Sequence, residues 1–283
     1  MFSDIEFIKD IFIRYILSLC LLAIMTLITV TGCRADESLP RRTWNVNGTT
    51  REALVYVPAT AKTNPTPIVF AFHGHGGNME RVARLWDYQK LWPQAIVVYM
   101  QGLKTPGKLT DPEGNKTGWQ KTIGDQNDRD LKFFDAVLVS LENEYRVDKN
   151  RIYATGHSNG GSFTYLLWQA RPNVFAAFAP SAAVKGPLVL DNPGFVPKPA
   201  FIIAGQQDPL VKFAWQQMMI DKLIQLNQCG AGKPWEVNKR LTIYPSSANA
   251  PVVTYIHPGG HIVPEDAPAL IIQFFQRASK IAR

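Results

Sequence analysis

An α/β sheet with helices on both faces is the fold class this sequence predicts, and three observations carry the prediction. Six short, continuous apolar runs, at 67–72, 95–100, 151–155, 175–179, 200–204 and 252–256, have the character of strands buried on both faces. Longer segments with apolar residues spaced three and four apart lie between them, as in 130–145, where Leu131, Phe134, Leu138, Leu141 and Tyr145 line one helical face. The two patterns alternate to the C-terminus, the arrangement of a mostly parallel central sheet flanked by helices. At 283 residues, 46% hydrophobic and 19% charged, the chain suits one large domain. There is no internal repeat and no low-complexity tract.

Taken in order, the first 33 residues differ from the rest. The apolar run YILSLCLLAIMTLITV (15–30) is followed by Thr31, Gly32 and Cys33. It resembles an export signal, and VTGC resembles a bacterial lipobox, in which the cysteine is lipidated and becomes the mature N-terminus. Cys33 is therefore the expected lipidation site, which places the protein in the cell envelope, at the outer membrane in a Gram-negative source, or outside the cell. The alternative is an uncleaved signal anchor: Asp4, Glu6 and Asp10 stand where basic residues are usual, and the apolar run approaches the roughly 17 residues of a short spanning helix. The expected organisation is a signal peptide at 1–33, a linker at 34–42 and a catalytic domain at 43–283.

Within the domain, EALVYVP (52–58) alternates and predicts an antiparallel edge strand. Helical patterns follow at 80–92, 130–145, 162–170, 213–227 and 268–282. Without residues 1–33, which hold Lys9, Arg14 and three acids, the formal net charge rises from +7 to +8. The basic residues are scattered, with no Lys/Arg block and no interleaved aromatics, so nucleic-acid binding is a poor reading and a solvated basic surface the better one. Cys229 is left without a disulfide partner inside the domain and has no His or Cys neighbour at metal spacing; it is expected to be a buried structural thiol.

The chemistry is concentrated at RIYATGHSNGGSF (151–163). A strand that must turn at once into a helix, presenting one side chain at the turn, needs neighbours with almost no side chain, and Gly156, Ser158 and Gly160 supply that pattern. A chain of this length gives roughly 0.1 chance matches to G-x-S-x-G, so the five letters alone are weak. Their position between a predicted strand and a predicted helix makes Ser158 a candidate nucleophile. A serine needs a base, and the base needs an acid to fix its tautomer. Only His257 and His261 follow the elbow and the last strand; His261, on a Gly-Gly loop, is favoured over His257, which abuts the strand. Asp208, four residues beyond a strand in AFIIAGQQDPL, is the favoured acid, with Asp191 and Asp221 as alternatives. Glycines in FHGHGGN allow backbone N–H groups to approach a ligand, so the amides of His75 and Asn159 are the candidate oxyanion donors. The pocket is expected from loops 101–130 and 181–199.

Together, HGHGG, YMQGL, GW before RDLKFFDAVL, GHSNGG, AGQQDP, NQCG and GGHIVPEDAPALIIQFF resemble the polyhydroxybutyrate depolymerase and feruloyl esterase type of secreted α/β hydrolase, over about residues 43–280. The resemblance implies an α/β-hydrolase fold and a metal-free Ser-His-Asp esterase without a cofactor, acting on ester-linked polysaccharide or on polyesters. It also implies a place for Trp119 at the substrate pocket. Ile262, where an aromatic is frequent in the family, and Gln207, where a small residue is frequent, bear on substrate choice. A serine peptidase of the same fold and a non-catalytic binding protein on an esterase scaffold are the rival classes.

Overall fold

The computed structural model describes residues 39–107, 110–185 and 195–280. The stretch 1–38, with Cys33 and the signal-like run, lies outside them, as does Asp191. From Leu39 onward the chain forms one compact unit.

Twelve strands form among the described residues. They are β1 Arg41–Val46, β2 Thr49–Tyr56, β3 Thr66–Phe72, β4 Ile96–Met100, β5 Leu103–Lys104, β6 Thr117–Gly118, β7 Val147–His157, β8 Ala177–Ser181, β9 Ala200–Gly205, β10 Lys233–Pro234, β11 Thr242–Tyr244 and β12 Val252–His257. Ten build the main sheet in the order β1-β2-β4-β3-β7-β8-β9-β12-β11-β10, while β5 and β6 pair separately. From β4 to β12 every neighbour pair is parallel. These six strands are the six apolar runs, and β3, β4, β8 and β9 are buried along their whole length. Continuous hydrophobicity was the right cue because layers of helix cover both faces.

The helices are α1 Met79–Trp86, α2 Tyr88–Leu91, α3 Arg129–Glu144, α4 Asn159–Ala170, α5 Phe213–Leu226 and α6 Ala267–Gln276. Val82 and Trp86 of α1 and Leu270 and Phe274 of α6 pack with Val69, Val97 and Phe201 on one face. On the other, Phe134, Leu167 and Ile220 from α3, α4 and α5 meet Phe70, Val98, Ala154 and Ile202. Trp168 of α4 stacks on Phe178 of β8 at 4.7 Å, and its indole N–H donates to the Val196 carbonyl.

Three features depart from expectation. The strand in EALVYVP is not an edge, because β1 pairs along it and Arg41 and Arg42, expected in a linker, face Leu54 and Ala53. The cue was Asn47-Gly48, both at positive φ, which closes a two-residue hairpin. The helical pattern at 80–92 breaks at Asp87, whose left-handed backbone (φ 46°) caps α1 through its N–H to Ala83 O. Cys229 is half-buried rather than fully buried, with burial pushing its thiol pKa up.

A buried ion pair joins the hairpin to the helix layer. Arg51 of β2 donates to Asp130 Oδ1 at 2.8 Å, with side chains 1% and 0% exposed, and its guanidinium lies 4.3 Å from the Phe133 ring centroid. Removing one partner strands a charge in the interior. Arg51→Leu is expected to lower stability in urea unfolding by about 3–5 kcal/mol, whereas Arg41→Ala, which loses only exposed pairs with Glu52 and Glu80, is expected to cost less than about 1 kcal/mol.

Candidate active site

The loops that leave the carboxyl ends of β3, β7, β9 and β12 carry the candidate residues, as open α/β sheets favour. After β7 the chain reverses at Ser158 with φ 56° and ψ −118°, a conformation strained for any residue with a side chain. The turn closes because there is no side chain at Gly156 or Gly160. A Cβ on Gly160 would run into the Phe72 and His73 carbonyls, and one on Gly156 into the Gly160 carbonyl. The Ser158 N–H donates to Ser181 O at 2.8 Å, and α4 starts at the next residue. Ser158 thus stands on an elbow between strand and helix.

His261 and Asp208 come from the loops after β12 and β9. His261 Nδ1 donates to Asp208 Oδ2 at 2.7 Å, which leaves Nε2 of the neutral ring as the acceptor. The Asp208 carboxylate is wholly buried and fully engaged. Its Oδ1 accepts from the amides of Leu210 and Val211, both at 2.8 Å, and Oδ2 also accepts from Gln216 Nε2 at 3.1 Å. Gln216, on an otherwise apolar stripe of α5 with Met219, Ile220 and Leu223, escaped the sequence reading; a polar residue on a core-facing stripe was the signal. The two loops are locked together, since Gln207 N donates to Gly259 O at 3.1 Å and Gln206 N to His257 O at 2.9 Å. His257 accepts from Gly259 N at Nδ1, has no partner for its buried Nε2, and makes no bond to Asp208. Asp221 lies on the exposed side of α5 and accepts from Gln217. Among the described residues, no hydrogen bond joins the Ser158 hydroxyl to His261; such bonds often close only when substrate binds.

The loop after β3 holds the candidate oxyanion donor His75. The amides of His75 and Asn159 make none of the turn and cap bonds that occupy their neighbours Gly76, Gly77, Ser158 and Ser162. Below this loop, His73 is buried, donates from Nδ1 to Gly74 O at 2.8 Å and accepts from Gly102 N at Nε2 at 2.9 Å. These bonds require the neutral ring, and burial pulls its pKa down to about 4. His157 lies against His261 with ring centroids 4.7 Å apart, and its surroundings lower its pKa to about 3, burial first and the His261 ring second.

Trp119 corrects an expectation. It is completely buried, edge-on to Phe72 and stacked on Phe163, and does not line the cleft. Its indole N–H donates to His73 O at 2.8 Å, and its backbone exchanges two bonds with the Asn159 side chain. It is a support beneath the loop because its ring fills the core between β3 and α4. The cleft that opens beside His261, about 560 Å³, is bounded by the His73–Asn78 loop, by Val82, Leu85 and Trp86 of α1, and by Ile262 to Pro264. Leu85 and Ile262 are its exposed apolar walls, 58% and 54% accessible. The expected loop 101–130 contributes nothing to this cleft, and residues 186–194 of the second expected loop lie outside the described residues.

With this geometry in hand, the comparisons are informative. The chain is 26% identical over 266 residues to a probable feruloyl esterase C of Aspergillus niger, covering 89% of this chain and 91% of that protein. It is 28% identical over 234 residues to a probable feruloyl esterase C of Aspergillus flavus, covering 77% and 80%. Among solved structures, acetyl xylan esterase from Aspergillus awamori superposes with a TM-score of 0.63 at 14% identity, over 84% of this chain and 99% of that one. This chain is an esterase of the α/β-hydrolase fold, similar to the feruloyl esterases. A model of the prolyl oligopeptidase family matches residues 116–192 of the esterase, a stretch that includes the elbow but neither Asp208 nor His261.

The buried neutral histidine makes the esterase acid-sensitive. His73 binds fewer protons folded than unfolded between pH 6.5 and about 4, so its contribution is intact above pH 6.5 and is lost as pH falls through that window. Urea unfolding is expected to show up to about 3 kcal/mol of stability lost between pH 7 and pH 4 from this residue. A His73→Gln variant, weaker at pH 7, should show a smaller fall.

Proposed function

We propose that the protein is an extracytoplasmic serine carboxylesterase that cleaves acyl esters carried on polysaccharides or polyesters, with Ser158, His261 and Asp208 as its triad. The observation that carries this reading is the 2.7 Å bond from His261 Nδ1 to a fully buried Asp208, on loops that leave the same end of the parallel sheet as a strained serine elbow. Asp208 fixes the tautomer, so His261 Nε2 is free to take the Ser158 proton as Oγ attacks the ester carbonyl. The amides of His75 and Asn159 receive the oxyanion, the protonated His261 gives its proton to the departing alcohol, and water then repeats the sequence on the acyl-enzyme. The apolar walls Val82, Leu85 and Ile262 beside His261 suit a hydrophobic group on the substrate, and the feruloyl esterase relatives make hydroxycinnamoyl esters the leading class, with acetyl esters next. The partial match to the prolyl oligopeptidase family favours peptide substrates as a second reading; a panel of methyl ferulate, acetylated xylan, polyhydroxybutyrate and a peptide anilide separates them.

Ser158→Ala and His261→Ala are each expected to lower kcat on p-nitrophenyl acetate by roughly 10⁴-fold or more, and Asp208→Asn by a comparable factor, because triad members act as a unit. His257→Ala should keep most activity; the reverse ranking of the two histidines would overturn the assignment.

Export by a lipobox ending at Cys33 belongs to the same proposal, with residues 1–32 removed and the domain held at the membrane by acyl chains on Cys33. Intact-mass measurement of detergent-extracted protein is expected to give a chain that begins at a lipidated Cys33, and Cys33→Ala should abolish processing while sparing activity. An unmodified chain beginning at Met1 would instead support a signal anchor.

A further inference from the structure

The ester mechanism proposed above uses only the backbone amide of His75, yet its imidazole is among the most closely held groups near the site. Nε2 lies 3.0 Å from Asp111 Oδ2, with the two side chains 12% and 8% exposed. Asp111 is itself fixed, its Oδ2 accepting from Lys116 N at 2.8 Å and its Oδ1 from Asn115 N at 3.1 Å. Those amides, the Lys116 one foremost, hold its carboxyl below the usual carboxylate range. Two glycines press on the ring. A Cβ on Gly107 would stand 2.8 Å from Nε2, and one on Gly118 2.8 Å from Nδ1.

Gly118 also touches the second donor residue, for the same Cβ would lie 2.9 Å from Asn159 Oδ1. The backbone around it continues the grip. Gly76 N donates to Thr117 O at 2.7 Å, Thr117 Oγ1 to Gly77 O at 2.6 Å, and Trp119 N to Asn159 Oδ1 at 2.7 Å. Residues 111–119 therefore hold, on one side, the loop that carries the His75 amide and, on the other, the residue that carries the Asn159 amide. The His75–Asp111 bond seizes His75 by its own side chain across 36 positions of sequence, as the Trp119 backbone seizes the Asn159 side chain.

We propose that His75 and Asp111 form a latch that sets the direction of the His75 backbone amide, making both of them positioning residues for oxyanion stabilisation. The inference rests on Ser158 being the nucleophile. With the ring immobilised between two glycines and a desolvated carboxylate, the backbone at His75 cannot rotate without breaking a charge-assisted bond. Every substitution except proline leaves the amide in the chain, so losing the latch acts through geometry alone. An oxyanion demands closer donor placement than a ground-state carbonyl, so the loss falls on kcat and spares KM.

The test compares His75→Ala, His75→Leu, His75→Gln, Asp111→Ala and the double Ala variant on p-nitrophenyl acetate, together with binding of phenylboronic acid, whose tetrahedral serine adduct places an oxygen in the hole. Deleting one oxyanion donor outright costs roughly 10²–10³-fold in kcat, so a misdirected donor should cost roughly 10–100-fold. The Ala and Leu variants are expected to lose that much kcat, to keep KM within about 3-fold, and to bind the boronic acid more weakly by a similar factor to the kcat loss. The double variant should be no worse than either single one. His75→Gln, able to donate to Asp111, should recover most of the rate. Folded Ala or Leu variants with kcat within about 3-fold of wild type overturn the latch, and if His75→Ala does not fold, equal kcat for the Leu and Gln variants overturns it as well. Ester hydrolysis or boronic acid binding that survives Ser158→Ala would instead sink the triad reading beneath it.

Discussion

The close approach of Gly160 to the Phe72 and His73 carbonyls is the contact on which the site depends. It brings the first turn of α4 against the end of β3, so the strand carrying the elbow and the strand carrying the proposed oxyanion loop are fixed to one another by backbone rather than by side chains. A methyl group there would force the two apart, and with them the Ser158 turn and the proposed donors His75 and Asn159. The parallel core of six strands supplies the rigidity that such a turn requires, since a residue at φ 56° persists only where its surroundings leave no alternative.

Charge is placed as economically as backbone. All five histidines lie at or just beyond the ends of β3, β7 and β12, yet burial keeps His73 and His157 neutral at working pH, so neither would oppose a positive charge on His261 in the proposed mechanism. The one carboxylate that meets His261 is saturated by two amides and a glutamine. That arrangement holds the Asp208 carboxylate still, as the proposed triad requires of the group that orients His261. Trp119 performs the corresponding mechanical task on the other side, carrying the His73 carbonyl on its indole N–H and the Asn159 side chain on its backbone.

What the sequence disclosed, and what it hid, follows from the range of the interactions. The parallel strands were legible because burial on both faces writes itself as unbroken hydrophobicity, and the elbow because a turn this tight tolerates only glycine around the serine. Chain order left His257 and His261 as candidate bases, position on the loops favoured His261 and Asp208 over their alternatives, and a 2.7 Å bond joins those two residues. The rest depended on contacts that no local pattern announces. Gln216 gave only a faint sign, one polar residue on an apolar helical stripe. The β1 hairpin was announced by Asn47-Gly48 but masked by the polar residues on its exposed side. Trp119 was misplaced because an aromatic beside a catalytic loop can serve as wall or as foundation, and only the packing of Phe72 and Phe163 decides. A cleft was sought in the long loops, whereas the one beside His261 lies between α1 and the His261 loop.

The most direct measurement of the central claim is covalent labelling of the nucleophile. When the protein is treated with a fluorophosphonate and digested, peptide mass spectrometry is predicted to find one phosphonylated residue, Ser158, at a stoichiometry that tracks the loss of esterase activity. Inactivation with no adduct on Ser158, or full occupancy of Ser158 with esterase activity intact, would contradict the account.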